Sequence, residues 1–145
     1  MNHSLDLTQQ APSSPRLRTG GYAILARALD KGRADLAGTS GGYHFDCPLD
    51  NFLFGFKGVK GEDLKKLLEA GKTNDEIATW LDANGEPKTA AEKLAWSDGC
   101  EAARPYDNPE KKDWFISVCA EAGCDPATST LFDYLEADDK VSFAS

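Results

Sequence analysis

The sequence predicts a mainly α fold, a compact bundle of six or seven short helices with one small extended element near residues 43–47. Three observations support this prediction. Apolar residues recur at steps of three and four, helix-capping signals precede several of these runs, and glycine or proline separates one run from the next. The connections between the runs are too short to separate two independent cores.

The first helix is predicted between Tyr22 and Ala37. One of its faces carries apolar or small residues at helical spacing, namely Leu25, Ala28, Leu29, Gly32 and Leu36. Charged residues such as Arg27 and Lys31 lie away from that face, where we expect a solvated surface. Gly38 is the expected end of the helix.

Residues 43–47 are the stretch most typical of a strand. The run Tyr43-His44-Phe45-Asp46-Cys47 alternates large side chains ahead of Pro48. Asp50 is then the expected N-cap of a short helix that ends at Gly58.

Start signals predict the later helices. One opens at Gly61 and closes at Gly71. Two begin with the spacing of a capping box, Thr73 with Glu76 and Thr89 with Glu92. Two more begin with a cap followed by proline, Asn108-Pro109 and Asp125-Pro126.

The N-terminal region differs in composition from the rest. Residues 1–18 contain several Gln, Ser and Pro residues and are expected to form a flexible arm, with residues 19–145 as a single helical domain. Residues 19–58 and 59–145 are candidate lobes of that domain. Neither a signal-peptide core nor a membrane-length apolar run is found, so we expect a soluble, cytoplasmic protein with free thiols and no membrane partner.

The net charge of −8 is unevenly distributed. Residues 1–40 hold five basic and three acidic side chains, a balance of +2, so the other 105 residues carry −10. An acidic chain repels nucleic acid at long range, and we expect no nucleic-acid partner.

One block of the sequence has a pattern of residues that is typical of a protein family. The block from Gly20 to Asp50 contains the runs Gly20-Gly21-Tyr22, Leu25-Ala26-Arg27, Asp30-Lys31-Gly32-Arg33-Ala34, Leu36-Ala37-Gly38 and YHFDCPLD at residues 43–50. This block resembles a bacterial family described as a domain of unknown function, family number 5069. The likeness continues to the helix at residues 73–81 and fades after Trp96. It implies a cytoplasmic bacterial protein of about this length. It assigns no activity, cofactor or catalytic residue.

A site for a small anion is the most specific function that the residues favour. Three cations share one helix, a glycine-rich turn supplies backbone amides, and the helix after Asp50 offers an N-terminus. The candidate ligand-binding residues are Arg27, Lys31, Arg33, Tyr43, His44, Asp46, Cys47 and Asp50. The alternative is that the cations are solvated or paired with Asp30 and Asp35.

Enzyme chemistry is a second interpretation. A small hydrolase or transferase could use Cys47 as nucleophile beside His44, Asp46 and Asp50, since a thiolate needs a base or a cation nearby. In an extended segment, however, residues 44 and 47 point to opposite faces. No two cysteines have the short spacing of a zinc knuckle, so we expect no metal site and no cofactor.

The sequence therefore favours a non-enzymatic binding or interaction module of unknown function, whose partner is an unknown small molecule or protein. A helical subunit of a larger assembly is the third interpretation. Cys119 is expected in the core, and the roles of Cys100 and Cys124 stay open. If Arg27 and His44 are exposed and functional, replacing either with alanine should change stability by at most about 1 kcal/mol and abolish ligand binding, whereas unfolding of both variants would make the block a scaffold.

Overall fold

The computed structural model describes residues 5–143, and the fold over that range is mainly α, as the sequence predicts. It contains seven α-helices and one 3-10 turn at Pro105–Asp107. The α-helices are α1 (Leu25–Ala37), α2 (Pro48–Lys57), α3 (Gly61–Glu69), α4 (Asn74–Ala83), α5 (Ala90–Ala102), α6 (Lys112–Ala122) and α7 (Leu131–Ser142). None of the helices in this range is both long and apolar enough to span a bilayer.

Local capping explains where several helices begin. In α4, Thr73 Oγ1 accepts a hydrogen bond from the Glu76 amide at 3.1 Å, and the Glu76 carboxylate accepts one from the Thr73 amide at 2.9 Å. Thr89 and Glu92 repeat this arrangement in α5. Both predicted capping boxes are confirmed, because their bonds depend only on residues three positions apart.

The last two helices begin later than predicted. Asn108 caps only a turn, through its side-chain oxygen and the Glu110 amide, and α6 starts at Lys112. Asp125 likewise accepts a hydrogen bond from the Ala127 amide, and α7 starts after Thr130, which forms its own capping box with Asp133. Asx turns therefore compete successfully with helix initiation at both proline sites.

Helix α1 is the centre of the molecule. Residues 22–29 are all buried, and its apolar face packs against α2, α3 and α4. The core cluster on that side is Tyr22, Leu25, Leu29, Leu53, Phe54, Leu64, Leu68, Ile77, Ala78 and Leu81. On the other side, Ala23 and Ile24 pack with Phe132 of α7. A helix enclosed from both sides has little solvated face, and the expected exposed surface of α1 is wrong for its first ten residues.

The extended element predicted at residues 43–47 is instead a turn. Asp46 has φ +63°, in the left-handed region, and its amide donates to Asp50 Oδ2 at 3.0 Å. The Asn51 side-chain amide donates to the backbone oxygens of Asp46 and Cys47, each at 3.0 Å. These side-chain bonds to the backbone stabilise the turn against an extended strand. Cys47, and not Asp50, is the N-cap of α2.

Residues 5–18 follow the surface formed by α1 and α7. Leu7 is 1% exposed and its amide donates to the Thr39 oxygen at 2.8 Å. Ser13 binds Asp30 of α1, and Arg16 binds Glu136 of α7. These contacts do not fit an arm that projects from the helices. Its flexibility stays a prediction, and residues 1–4 lie outside the described residues.

Candidate functional site

A cavity of about 500 Å³ lies between α1, residues 41–49, α7 and the N-terminal residues Leu7 and Thr8. Residues 41–49, which contain the turn and the start of α2, are called the 41–49 turn below. Its lining combines apolar side chains with charged ones. The residues are Leu7, Thr8, Arg27, Lys31, Gly41, Gly42, Tyr43, His44, Cys47, Leu49, Leu135, Asp138, Ser142 and Phe143. Its volume falls within the range of known small-molecule pockets.

Arg27 holds α1 to the last turns of α7. Its Nη1 and Nη2 atoms donate to the two carboxylate oxygens of Asp139 at 2.8 and 3.1 Å, and both side chains are almost fully buried. A bidentate arginine–carboxylate pair fixes both the distance and the orientation of its partners. The pair therefore sets the position of the α7 wall of the cavity relative to α1.

Tyr43 closes the same wall from the turn. Its hydroxyl donates to Asp139 Oδ1 at 2.8 Å, and its ring lies 5.5 Å from the Arg27 guanidinium and 6.4 Å from the stacked Phe143 ring. Burial, followed by the hydrogen bond to Asp139, raises the pKa of Tyr43. The tyrosine therefore stays protonated and remains a donor to Asp139 at neutral pH.

Lys31 links the cavity to the N-terminal end of α2. Its Nζ atom donates to Cys47 Sγ at 3.2 Å and lies 2.9 Å from Asp50 Oδ1. The lysine side chain is 4% exposed and the aspartate side chain is fully buried. The contact with Asp50 is an ion pair without hydrogen-bond geometry, so Cys47 is the hydrogen-bond acceptor for Lys31 within residues 5–143.

Asp138 brings a further carboxylate to the lining. Burial, and then the negative charges of Asp139 and Glu121, raise its pKa, while Arg27 acts in the opposite direction. The effects that favour protonation outweigh the attraction of Arg27. Asp138 is therefore a half-buried carboxylate held close to other negative charges.

The family match covers most of this arrangement. A family model described as "Domain of unknown function (DUF5069)" matches residues 9–141. The chain belongs to this family. No curated protein matches the sequence. In this DUF5069 chain the matched range contains both ion pairs of the cavity, Arg27 with Asp139 and Lys31 with Asp50. The family description names no activity, and the function of the chain is argued from the site.

The predicted site residues divide into those that the fold brings together and those that it separates. Arg27, Lys31, Tyr43, His44 and Cys47 all line the cavity. Asp50 lies behind Lys31 as its buried counter-ion.

Two predicted residues lie elsewhere. Arg33 donates to the Lys72 backbone oxygen at 3.2 Å, and the Asp46 carboxylate accepts from Asn51 at 2.9 Å. Neither lines the cavity.

The alternative pairing of the α1 cations within their own helix is wrong for Arg27 and Lys31. Asp30 accepts hydrogen bonds from Ser13 at 2.6 and 2.8 Å, and Asp35 pairs with Lys65 of α3. The carboxylates that neutralise Arg27 and Lys31 come from α7 and α2, because α1 is enclosed by those elements.

Sequence reasoning missed the contribution of α7. Leu135, Asp138, Asp139 and Phe143 complete the site, yet none of them was among the candidate residues. One signal was available: two cations on a helix with an apolar face require counter-ions when that helix is buried.

The remaining cysteines lie outside this cavity. Cys119 is fully buried, as predicted, and burial, followed by a hydrogen bond that its thiol donates to Cys124, raises its pKa to about 12. Cys100 lines a second, mostly apolar cavity of about 340 Å³, and burial raises its pKa to about 11. Within residues 5–143, no group of three or more His, Cys, Asp or Glu side chains is arranged to hold a metal ion.

Proposed function

We propose that the chain is a binding module for a small molecule that carries an acidic group on an apolar body, and that the ligand occupies the cavity between α1, the 41–49 turn and α7. The observation that carries the proposal is the placement of two buried cations, Arg27 and Lys31, in the wall of one cavity. Buried cations are costly, and a cavity lined by them is a favourable place for an anionic group.

The cations retain hydrogen-bonding capacity for a ligand. An ammonium has three N–H donors, and within residues 5–143 Lys31 has two close partners, Cys47 Sγ at 3.2 Å and Asp50 Oδ1 at 2.9 Å. A guanidinium has five donors. The hydrogen bonds of Arg27 use Nη1 and Nη2, which leaves its Nε–H without an acceptor in the described range.

Apolar side chains form the rest of the wall. Leu7, Leu49, Leu135 and Phe143 line the cavity together with the cations. Burial of a ligand's hydrocarbon against such side chains contributes about 25 cal/mol per Å². The combination supports a carboxylate with a branched or aromatic body more than a bare inorganic anion.

A calorimetric titration with a matched pair of compounds tests the proposal. We expect 4-methylpentanoate to bind more tightly than 4-methylpentanamide by about tenfold, because the two share their apolar body and differ in the charge that the cations meet. Equal affinities for the acid and the amide would contradict the proposal.

Two glycine variants locate the binding. A Cβ atom built on Gly42, at the cavity, meets no atom within 4 Å, and the same holds for Gly55 on the exposed face of α2. The Gly42→Phe variant should fill the cavity and lose the binding of 4-methylpentanoate, while Gly55→Phe should retain it. Binding that survives Gly42→Phe would place the ligand elsewhere.

A thiol enzyme is the second candidate, favoured by one contact. Lys31 Nζ lies 3.2 Å from Cys47 Sγ at the cavity, and an adjacent ammonium stabilises a thiolate. Incubation with p-nitrophenyl acetate should then acetylate Cys47 faster than a free thiol, as measured by mass spectrometry. Acetylation no faster than that of free cysteine would remove this candidate.

The proposal includes a cytoplasmic location and no nucleic-acid partner. The net charge of −8 supports the second part, because an acidic chain repels the phosphates of nucleic acid at long range. A role as subunit of a larger assembly stays a prediction. The exposed large apolar residues, which such a role would use, are spread over the N-terminal segment and five helices, at Leu17, Leu36, Phe52, Leu94, Trp114, Ile116 and Val141.

A further inference from the structure

The carboxylate of Asp138 distinguishes this cavity from a simple anion site. Asp138 lines the cavity and is half-buried, yet no hydrogen bond or ion pair within residues 5–143 satisfies it. Asp139, its neighbour in the chain, is already bound to Arg27 and Tyr43. A half-buried carboxylate without a donor is unfavourable, and a donor supplied by a ligand would relieve it.

The charges around the cavity also favour a ligand that brings a donor to Asp138. Arg27 is paired with Asp139 and Lys31 with Asp50, so each cation has one carboxylate of its own. Asp138 is a third carboxylate, for which residues 5–143 provide no separate cation. A ligand that brought only negative charge would be repelled by Asp138 while it approached Lys31 and Arg27. A ligand with both charges would satisfy all three groups.

We infer that the ligand is zwitterionic, with an ammonium group paired to Asp138, a carboxylate directed to Lys31 and Arg27, and a hydrocarbon side chain against the leucines and Phe143. An α-amino acid with a branched or aromatic side chain has this chemistry. The inference rests on the proposed function, because it specifies the ligand class of the same cavity.

Two matched pairs of compounds test the ammonium group. Leucine differs from 4-methylpentanoate, and phenylalanine from 3-phenylpropanoate, by the α-amino group alone. In calorimetric titrations of the full chain we expect each amino acid to bind at least about tenfold more tightly than its des-amino partner. Des-amino acids that bind as tightly as the amino acids would overturn the inference and leave the proposed function standing. No binding by any of the four compounds would overturn both.

Charge-neutralising variants assign the preference to Asp138. Asp138→Asn should reduce the preference for the amino acid to about twofold or less, since a neutral amide cannot pair with an ammonium. Asp113→Asn, on the exposed first turn of α6, makes the same chemical change away from the cavity and should keep the full preference. A preference that persists in Asp138→Asn, measured on a variant whose circular dichroism matches the wild type, would refute the assignment.

Discussion

The buried pair of Lys31 and Asp50 gives the sharpest test of the packing around the cavity. Lys31→Met keeps most of the length of the side chain and removes its charge. Among residues 5–143, the fully buried Asp50 carboxylate would then keep only the hydrogen bond from the Asp46 amide at 3.0 Å. Removing one partner of a buried ion pair costs about 3–5 kcal/mol, because an uncompensated charge is left in the interior. We therefore expect a loss of about 3–5 kcal/mol of unfolding free energy.

Urea unfolding followed by circular dichroism measures this loss. Lys65→Met is the matched control, because Lys65 pairs with Asp35 near the surface, where the side chains are 24% and 48% exposed. An exposed pair contributes at most about 1 kcal/mol. The double variant Lys31→Met with Asp50→Leu should be more stable than Lys31→Met alone, since it removes the stranded carboxylate. A loss below about 1 kcal/mol for Lys31→Met, no larger than that for Lys65→Met, would refute this reasoning.

Three further predictions follow from the same geometry. Arg27→Ala should lower the unfolding free energy by about 3–5 kcal/mol, because it leaves the buried Asp139 without its cation. His44 is exposed, so His44→Ala should change it by at most about 0.5 kcal/mol. Equal losses for the two variants in urea unfolding would contradict this prediction. Burial raises the pKa of Cys100 to about 11, so at about pH 8 it should react with iodoacetamide some two orders of magnitude more slowly than an ordinary thiol. Equal rates in the native and the urea-unfolded chain, measured by mass spectrometry, would contradict this prediction. Burial and the Asp139 hydrogen bond hold the pKa of Tyr43 above its ordinary value of 10.0, so its stabilising contribution is complete below about pH 10 and is lost as the pH rises through the folded-state pKa. The stability difference between wild type and Tyr43→Phe should therefore stay constant between about pH 8 and pH 10 and narrow above about pH 10. A difference that stayed constant up to about pH 11 would contradict this.

The part of the fold that the sequence predicts well depends on local contacts. The capping boxes at Thr73 and Thr89 bond within three residues, and the apolar spacing of α1 repeats within each turn. Such patterns are visible in a single sequence because no distant residue decides them. The turn at residues 43–47 was missed because two later residues, Asp50 and Asn51, bind its backbone.

The candidate site was predicted only in part, because its buried contacts join residues that are far apart in the sequence. The segment that carries Tyr43, His44 and Cys47 was a candidate because of its own residue types, and these three residues do line the cavity. The burial of Arg27 depends on Asp139, 112 residues further along the chain. A contact over that distance leaves no periodic signal, and the basic face of α1 consequently looked solvated.

The measurement that tests the central claim most directly is a chemical-shift titration of the ¹⁵N-labelled chain with leucine. If the cavity is the binding site, the largest changes should fall on the amides of Gly41, Gly42, His44, Leu49 and Asp138, which line it. The amides of Ala95 and Gly99, which line the second cavity, should not move. Changes confined to the second cavity, or no changes up to about 10 mM leucine, a concentration that detects millimolar affinity, would contradict the account.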